Sequence, residues 1–370
     1  GMIWNKTQDK KYNSLQAAID ASSEGDEIIV LKDIKYTQDD IITVDVYGYT
    51  TMVNATGKNV VLDLNGHLVE ADVKDYSGTL LSIIFVGDDG SLTLKDSSVE
   101  KTGAVKAIGK EDQANVYALI IADTKNTTNI KLYIESGTYE LNKCTDVGAL
   151  VYVNISNILT VTGGNFYLGN AGTLTNNSPW IFNTHSNGIN NVIVKGGNYN
   201  VSPIQHYGEV VIPVEFAVTQ TSDVTYPYSV VPAVARIDQT GYASIADAVN
   251  EANDGDEIVV TVSHTATVPA VVESNLTLNL NGKAITGDVY PVVRVQNGAN
   301  VTVTGAGSIT NNDYVFVLGA SDGSSAGNLT IESGVYTGTT TVASVTKGLL
   351  TINGGEFKVN DSEYGATYMI

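Results

Sequence analysis

The sequence predicts an all-β protein made of two tandem solenoid modules, each a single-stranded parallel β-helix opened by a short capping α-helix. Three observations predict this fold class. Residues 12–30 (YNSLQAAIDASSEGDEIIV) and 242–260 (YASIADAVNEANDGDEIVV) are near-copies of one another. The segments that follow each copy also match, in the same order. A shorter motif recurs inside each copy at intervals of about 20 to 40 residues, a period typical of solenoid repeats.

Each copy begins with a short amphipathic helix. The segments SLQAAI and SIADAV place apolar residues at i, i+3 and i+4, which is one stripe of a helix. Ser14 and Ser244 stand at the N-cap positions. Gly25 and Gly255 supply the left-handed backbone that ends such a helix. The β-branched runs that follow these glycines predict strands.

The shorter motif predicts the strands and corners of a coil. It reads apolar-x-apolar, two turn residues ending in Gly, any residue, then a large apolar residue, as in YIESGTY, TVTGGNF and IVKGGNY. Alternation buries one face of each strand, and glycine allows a positive φ at the corner. A β-sandwich would show strands every 8 to 12 residues without this fixed glycine. We expect the residues two positions after the glycine to form an internal ladder: Leu68, Tyr139, Phe166, Tyr199, Ala284, Ile309, Tyr336 and Phe357.

The duplication also sets the domain organisation. We predict a first module with its closing strands and connector over residues 1–235, and a second module over 236–370. The stretch 207–238 lacks the motif, but its apolar runs VVIPVEFAV and YSVVPAVA predict ordered β-structure. The second module has no counterpart of NVIVKGGNYNV after TINGGEF, so we expect it to be truncated.

These segments resemble the right-handed parallel β-helix superfamily, the pectate-lyase-like solenoids. The resemblance is carried by SLQAAIDASSEGDEIIVL and by NVVLDLNGHLV. It implies a right-handed coil whose open N-terminal end is covered by the helix. The phrase VARIDQTGYASIADAV is similar to the start of adhesin-like β-helix modules in secreted and surface proteins of gut bacteria. That resemblance implies an extracellular or cell-surface location.

The charge balance restricts the partners. The chain has 20 basic and 40 acidic residues, a net charge of -20. Nucleic acid and anionic membranes both bind clusters of basic residues, so we expect neither as a partner. No apolar stretch approaches the roughly 20 residues that span a bilayer, and we expect no membrane insertion. The single cysteine, Cys144, cannot form an intrachain disulfide.

Catalytic motifs are hard to find in this sequence, and we predict no catalytic residue. Of the two arginines, Arg236 lies in the connector, and Arg294 has no paired acid near it in sequence. Calcium would need about 6 to 8 oxygen ligands, several of them carboxylates. The candidate ligands are Asp88 and Asp89 of the GDDG segment, which we also interpret as a loop tip. We therefore expect no cofactor, with Ca²⁺ as the one open alternative.

The function predicted from these features is a non-catalytic secreted or cell-surface module for adhesion, with a glycan or a surface protein as its partner. Exposed aromatic rings offer a flat apolar surface to either partner. The candidate binding residues are Tyr47, Tyr49, Trp180, His185 and Tyr207; ordinary sheet, core or turn positions are the alternative for each. Two other functions stay open. One is a polysaccharide lyase or glycoside hydrolase acting on acidic polysaccharide, and the other is a purely structural spacer.

Overall fold

The computed structural model describes residues 1–125, 129–154, 157–170, 179–184, 191–204, 210–339 and 341–360. Within these ranges the chain is mostly β-strand, with two short α-helices and one 3₁₀-helix. The all-β prediction is confirmed. The chain forms two compact units: unit 1 is Gly1–Ile212 with Val218–Val230, and unit 2 is Pro213–Ala217 with Val231–Ile370.

The elements of unit 1 follow one another in short strands. They are β1 (Ile3–Asn5), β2 (Lys10–Tyr12), α1 (Leu15–Asp20), β3 (Asp26–Val30), β4 (Ile34–Thr37), the 3₁₀-helix (Gln38–Asp40), β5 (Ile42–Val44), β6 (Tyr49–Asn54), β7 (Asn59–Asp63), β8 (Leu68–Asp72), β9 (Ser82–Val86), β10 (Ser91–Lys95), β11 (Ala104–Ile108), β12 (Ile120–Ala122), β13 (Lys131–Ile134), β14 (Thr138–Leu141), β15 (Ala149–Val153), β16 (Ile158–Val161), β17 (Asn165–Leu168), β18 (Trp180–Thr184), β19 (Val192–Val194), β20 (Asn198–Tyr199) and β21 (Val210–Val211).

Two strands, β22 (Phe216–Gln220) and β23 (Tyr228–Pro232), lie in the predicted connector, which is therefore β-structure as expected. The elements after them are β24 (Ala235–Ile237), β25 (Thr240–Tyr242), α2 (Ile245–Glu251), β26 (Asp256–Val260), β27 (His264–Ala266), β28 (Ala270–Val272), β29 (Leu276–Asn279), β30 (Lys283–Gly287), β31 (Val293–Val295), β32 (Asn300–Thr304), β33 (Gly307–Asn311), β34 (Phe316–Leu318), β35 (Gly327–Ile331), β36 (Val335–Gly338), β37 (Ala343–Val345), β38 (Gly348–Ile352) and β39 (Glu356–Val359). The predicted module boundary after residue 235 falls inside β24 and stays a prediction.

Three sheets form unit 1. Their strand orders are β2-β1-β3-β7-β10-β13-β16-β19-β21 (the nine-stranded sheet), β22-β23-β20-β17-β14-β11-β8-β4 (the eight-stranded sheet) and β18-β15-β12-β9-β6-β5 (the six-stranded sheet). From β7 to β20 the chain visits the three sheets in rotation, and every pairing among these strands is parallel. Antiparallel strands occur at the ends, as where β23 pairs with β20.

Unit 2 repeats this arrangement with fewer strands. Its sheets run β25-β24-β26-β29-β32-β35-β38, β27-β30-β33-β36-β39 and β28-β31-β34-β37. Strands β26 to β39 visit the three sheets in rotation, again with parallel pairing. One apolar core is shared by all three sheets, with Leu278, Ile285 and Phe316 each contributing from a different one. Neither helix of the described residues is long and apolar enough to span a membrane.

The predicted internal ladder is present. In unit 1 the rings of Tyr139 and Phe166 stack with centroids 5.2 Å apart, and Phe166 stacks on Tyr199 at 5.0 Å. All three side chains are fully buried. In unit 2, Ile309 and Tyr336 are buried, and Phe357 contacts Tyr336 at the last described strand.

Two members of the predicted ladder are wrong. Leu68 is only half-buried and Ala284 is exposed, whereas the next residues, Val69 and Ile285, are buried. Val69 and not Leu68 lies in register with the ladder position of the next strand, Val105. The corners at Asn65-Gly66 and Asn281-Gly282 (the NG corners) contain two more residues between the flanking interior positions than the corners at Glu135-Ser136-Gly137 and Glu332-Ser333-Gly334 (the ESG corners). In an NG corner the interior residue therefore comes three positions after the glycine and not two.

The predicted helix starts are confirmed. The Ser14 hydroxyl accepts a hydrogen bond from Ala17 N (3.1 Å), and the Ser244 hydroxyl accepts one from Asp247 N (2.9 Å). These contacts satisfy helix N–H groups that have no partner inside a helix. The predicted glycine ends are wrong: Gly25 and Gly255 have the expected positive φ values of 79° and 93°, but they lie in the turns before β3 and β26, and the C-caps are Ala21 and Ala252.

Candidate binding site on the six-stranded sheet

A hairpin carries the first two predicted site residues. Strands β5 and β6 are antiparallel, with Val44 paired to Tyr49, and the turn between them closes through Gly48 N donating to Val44 O (2.8 Å). Tyr47 stands in this turn and is only 8% exposed. Tyr49, at the start of β6, is half-buried. The hairpin therefore brings both rings onto the six-stranded sheet.

The rings pack on the face of the six-stranded sheet that points away from the internal ladder. Phe182, on the ladder side, contacts Phe166. Side chains alternate along a strand, so the register column of Phe85, Ile121 and Tyr152 faces the other way. Phe85 is buried there against Tyr47, with ring centroids 4.7 Å apart. A small apolar cluster thus forms outside the main core.

A buried carboxylate lies beside these rings. Asp123 is 8% exposed and accepts a hydrogen bond of 2.6 Å from the Tyr49 hydroxyl. It also accepts from Thr124 N (2.8 Å) and from the Asn154 side-chain amide. A buried carboxylate is stable only when such donors surround it. We call Tyr49, Tyr117, Asp123, Tyr152 and Asn154 the tyrosine–aspartate cluster.

Three tyrosine hydroxyls of the cluster are held in the protonated form. Burial, with the hydrogen bond to Asp123 and its charge, raises the pKa of Tyr49. Burial also raises the pKa of Tyr117 to about 12, with the charges of Tyr152 and Asp123 adding to the effect. The pKa of Tyr152 rises for the same two reasons, burial and Asp123. The hydroxyls are therefore hydrogen-bonding groups at neutral pH and not nucleophiles.

The predicted acidic pair lies next to this cluster. Asp88 N donates to the Tyr47 hydroxyl (2.9 Å), and the Asp88 carboxylate accepts from Lys125 N (3.0 Å). The Lys125 ammonium lies 5.8 Å from the centre of the Tyr47 ring. Asp89 has a positive φ of 61° in a turn closed by Gly90 N donating to Gly87 O, as expected of a loop tip.

Nothing in the described ranges adds to the calcium alternative. Within them, no three His, Cys, Asp or Glu side chains come together in a group that could hold a metal ion. The Asp88 carboxylate instead fixes the backbone at Lys125. Burial of Tyr47 likewise agrees with its alternative as a core aromatic, since its ring is not free to contact a partner.

The other predicted site residues have different positions. Trp180 begins β18, at the opposite edge of the six-stranded sheet from β5, and is half-buried. His185 and Tyr207 lie outside the described residues. The structure thus joins Tyr47, Tyr49 and Asp88, and it places Trp180 apart from them.

Sequence reasoning missed Tyr117, Tyr152 and Asp123. They follow no motif, and parallel pairing of β9, β12 and β15 is what brings them together. Aligning the strands of the six-stranded sheet by register would have placed Phe85 and Tyr152 in one column, which is the only signal the sequence carried. Chemically, the cluster offers aromatic ring surface, hydroxyl groups and a fixed carboxylate within one patch. This combination suits hydrogen bonding and apolar contact with a polyhydroxylated ligand.

Comparison of the chain with protein-family models, with curated proteins and with solved structures finds no match.

Proposed function

We propose that each unit is a right-handed, single-stranded parallel β-helix of the pectate-lyase-like kind, and that the two units are tandem modules. Rotation of successive strands through three parallel sheets supports a coil, because each circuit returns the chain to the neighbouring strand. The helices α1 and α2 precede the first coils, where they would cover the open apolar interior. Leu15 and Ile19 of α1 are buried, as this role requires.

The function that we propose is a non-catalytic secreted or cell-surface module that binds carbohydrate. The observation that carries the proposal is the tyrosine–aspartate cluster, in which the half-buried Tyr117 and Tyr152 rings lie 5.9 Å apart beside the buried Asp123 carboxylate. Sugar rings stack on aromatic rings through their apolar faces, and their hydroxyls donate to carboxylates.

The charge of the chain restricts the class of ligand. A net charge of -20 repels polyanions at low salt, and Asp123 adds a negative charge inside the cluster. Neutral glycans do not experience this electrostatic repulsion. We therefore propose a neutral sugar as the ligand, rather than a uronic-acid polymer.

Glycan binding by matched variants tests this proposal. We expect Tyr152→Ala and Asp123→Asn each to weaken binding of neutral glycans on an array by at least about tenfold, the size expected for losing one or two direct contacts. Tyr133→Ala is the control, because Tyr133 is 38% exposed on the nine-stranded sheet, away from the cluster. Circular dichroism checks that each variant stays folded. Equal binding by the wild type and both cluster variants would contradict the proposed site.

The lyase alternative is separated by a second assay. The protein is incubated with polygalacturonate and calcium while the ultraviolet absorbance of unsaturated products is followed. We expect no increase in absorbance. A sustained increase that scales with protein concentration would replace the binding proposal by the enzymatic one.

A further inference from the structure

Two tyrosine rings meet at one corner of unit 2. Tyr290 lies between β30 and β31, and Tyr314 lies at the same corner one circuit later, between β33 and β34. Because β30 pairs with β33 and β31 pairs with β34, the two connecting segments are neighbours. The ring centroids are 5.3 Å apart, with 76° between the ring planes. Tyr290 is 53% exposed, more than any other tyrosine in the described ranges.

One buried side chain fixes both segments. Asn311 is 2% exposed, and its amide donates to Val289 O and to Tyr314 O, both at 2.7 Å. It occupies the space above Gly287, where an added Cβ would lie 2.6 Å from the Asn311 Oδ1 atom. The backbone on which the two rings stand is therefore held in place before any ligand arrives, which lowers the entropy cost of binding.

The equivalent corner of unit 1 shows which part of this arrangement is structural. Asn115 is 4% exposed, and its amide donates to two carbonyls of the preceding connecting segment, Val73 O (2.9 Å) and Tyr76 O (3.1 Å). A buried asparagine thus braces a connecting segment in both units, although only Asn311 also bonds a carbonyl of its own segment. The asparagine explains why the backbone is fixed at this corner, but it does not explain why the Tyr290 ring is exposed with the Tyr314 ring beside it.

The size of the surface favours a sugar over a protein partner. Two fully exposed tyrosine side chains would bury about 300–500 Å² when covered, and Tyr314 is already half-buried, whereas a standard protein interface needs about 800 Å² per partner. The neighbouring carboxylates belong to Asp288, which is exposed, and to Asp313, which directly precedes Tyr314. They offer acceptors for sugar hydroxyls and disfavour an anionic ligand.

We propose that Tyr290 and Tyr314 form a second carbohydrate-binding site, on unit 2, for a neutral oligosaccharide. The site takes the same class of ligand as the proposed function, but it uses other residues in the other unit. Its failure can therefore be told apart from failure of the tyrosine–aspartate cluster.

The test uses the full chain labelled with 3-fluorotyrosine and ¹⁹F NMR. Cellohexaose, mannohexaose and xylohexaose are titrated separately, and the Tyr290 signal is assigned from its loss in Tyr290→Phe. We expect the Tyr290 signal to shift with at least one of the three sugars while the Tyr133 signal does not. Tyr314→Ala should weaken the apparent affinity at Tyr290 at least tenfold. Tyr152→Ala should leave it unchanged.

Two results would overturn the site. One is a Tyr290 signal that stays unmoved by all three sugars at millimolar concentration. The other is a shift that persists with equal affinity in Tyr314→Ala. If the Tyr290 shift disappears in Tyr152→Ala instead, the sugar binds only at the tyrosine–aspartate cluster and the second site is rejected.

Discussion

Each of the two buried tyrosines of the internal ladder in unit 1 donates its hydroxyl hydrogen to a nearby backbone carbonyl. Tyr199 is fully buried and donates to Gly196 O at 2.7 Å, and Tyr139 donates to Ser136 O at 2.9 Å. In each case the acceptor is the carbonyl just before the corner glycine. A buried polar group without a partner is costly, so the ladder can use tyrosine only where this carbonyl is within reach.

This contact gives a prediction for Tyr199→Phe. The substitution keeps the ring stack but leaves the Gly196 carbonyl without its donor, and we expect the free energy of unfolding to fall by about 1–2 kcal/mol. Urea denaturation followed by circular dichroism measures it. The control is Tyr133→Phe at a 38%-exposed ring, which should change stability by less than about 0.5 kcal/mol. Equal effects in the two variants would contradict the role of the hydroxyl.

The buried tyrosines also predict how stability depends on pH. Burial raises the pKa of Tyr47 and of Tyr117 to about 12, above the ordinary value of 10.0. A raised pKa means that the folded state holds its proton longer than the unfolded state does. The contribution to stability is therefore complete below pH 10 and is lost as pH rises toward 12, by up to about 1.4 kcal/mol per pH unit for each group.

Urea denaturation at pH 8, 9, 10 and 11 tests this dependence. We expect a flat free energy of unfolding up to about pH 9.5 and a decline above it. Tyr117→Phe should reduce the slope of the decline, because phenylalanine does not ionise. A slope above pH 10 that is identical in wild type and in this variant would rule out Tyr117 as a contributor.

At the scale of elements, the lengths of the corners decide which residue returns to the interior. Val69 comes seven residues after Leu62, but Tyr139 comes only five after Ile134, although the paired strands place them in equivalent columns. The extra residues of the longer corner include Leu64, which is fully buried. Its Cδ1 atom would lie 2.9 Å from a Cβ added at Gly137 of the ESG corner. The leucine of one corner thus fills the space that a glycine leaves open in another.

A matched pair of glycines tests the close packing at the corners. Gly164 has a φ of 107°, and an added Cβ would lie 3.1 Å from Gly137 O and 3.4 Å from both Phe166 and Tyr139 ring atoms. Gly255 has a φ of 93° but nothing within 4 Å of an added Cβ. Both Gly→Ala substitutions cost about 1–2 kcal/mol for the left-handed backbone. We expect Gly164→Ala to cost a further 1 kcal/mol or so through overpacking, measured by urea denaturation. Equal losses in the free energy of unfolding would show that the Tyr139–Phe166 ring stack moves to accommodate the added methyl group without cost.

Strands β4 of unit 1 and β27 of unit 2 are equivalent, but they carry different side chains at the position that pairs with the interior residue of the next strand. Ile34 of β4 pairs with Val69, and His264 of β27 pairs with the equivalent residue Ile285. Ile34 is 4% exposed. His264 lines a cavity of about 100 Å³ beside α2, and its buried Nε2 atom has no hydrogen-bond partner among the described residues.

We expect His264→Ile to stabilise the protein. The substitution fills part of the cavity and removes a buried polar atom, so the free energy of unfolding should rise by about 1–2 kcal/mol. Thermal and urea unfolding measure the change. His67→Ile is the control, because the His67 ring is 33% exposed and contacts the Asp33 carboxylate at 3.2 Å. A loss of stability in His264→Ile would show that the contact of the His264 Nδ1 atom with Val262 O (2.9 Å) outweighs the gain from filling the cavity.

At the scale of the whole molecule, each unit has its own ladder and core. Tyr199 belongs to unit 1, and Tyr336 belongs to a core whose members all lie in unit 2. We expect Tyr199→Ala to speed hydrogen exchange in peptides of unit 1 and Tyr336→Ala to speed it in peptides of unit 2, as in separately cooperative regions. Exchange in the intact chain, followed by digestion and mass spectrometry of the peptides, reports both. Faster exchange in both units from either variant would show that they unfold together.

The sequence predicts the repeating part of this molecule well, because repetition carries its own evidence. Helix caps at Ser14 and Ser244 and the buried Tyr139, Phe166 and Tyr199 all occur as expected. The candidate site is predicted only in part. Tyr49 is in the cluster, but Asp123 and Tyr152 are separated from it by many residues and become neighbours only through strand pairing.

The sequence by itself determined the all-β class, the parallel sheets and the glycine corners of this protein, because each depends on a local pattern that is repeated. Tertiary structure alone decided which side chains share an outer surface. In the nine-stranded sheet the outward column includes Thr93, Tyr133 and Thr160, whereas in unit 2 the equivalent column holds Thr277, Thr302 and Thr330. Paired strands of these parallel sheets are separated by about 20 to 40 residues of chain. A change in the length of a loop between them therefore changes which side chains become neighbours, although the motif within each strand stays the same. The surfaces that would bind a partner are therefore set by register, which local pattern does not encode.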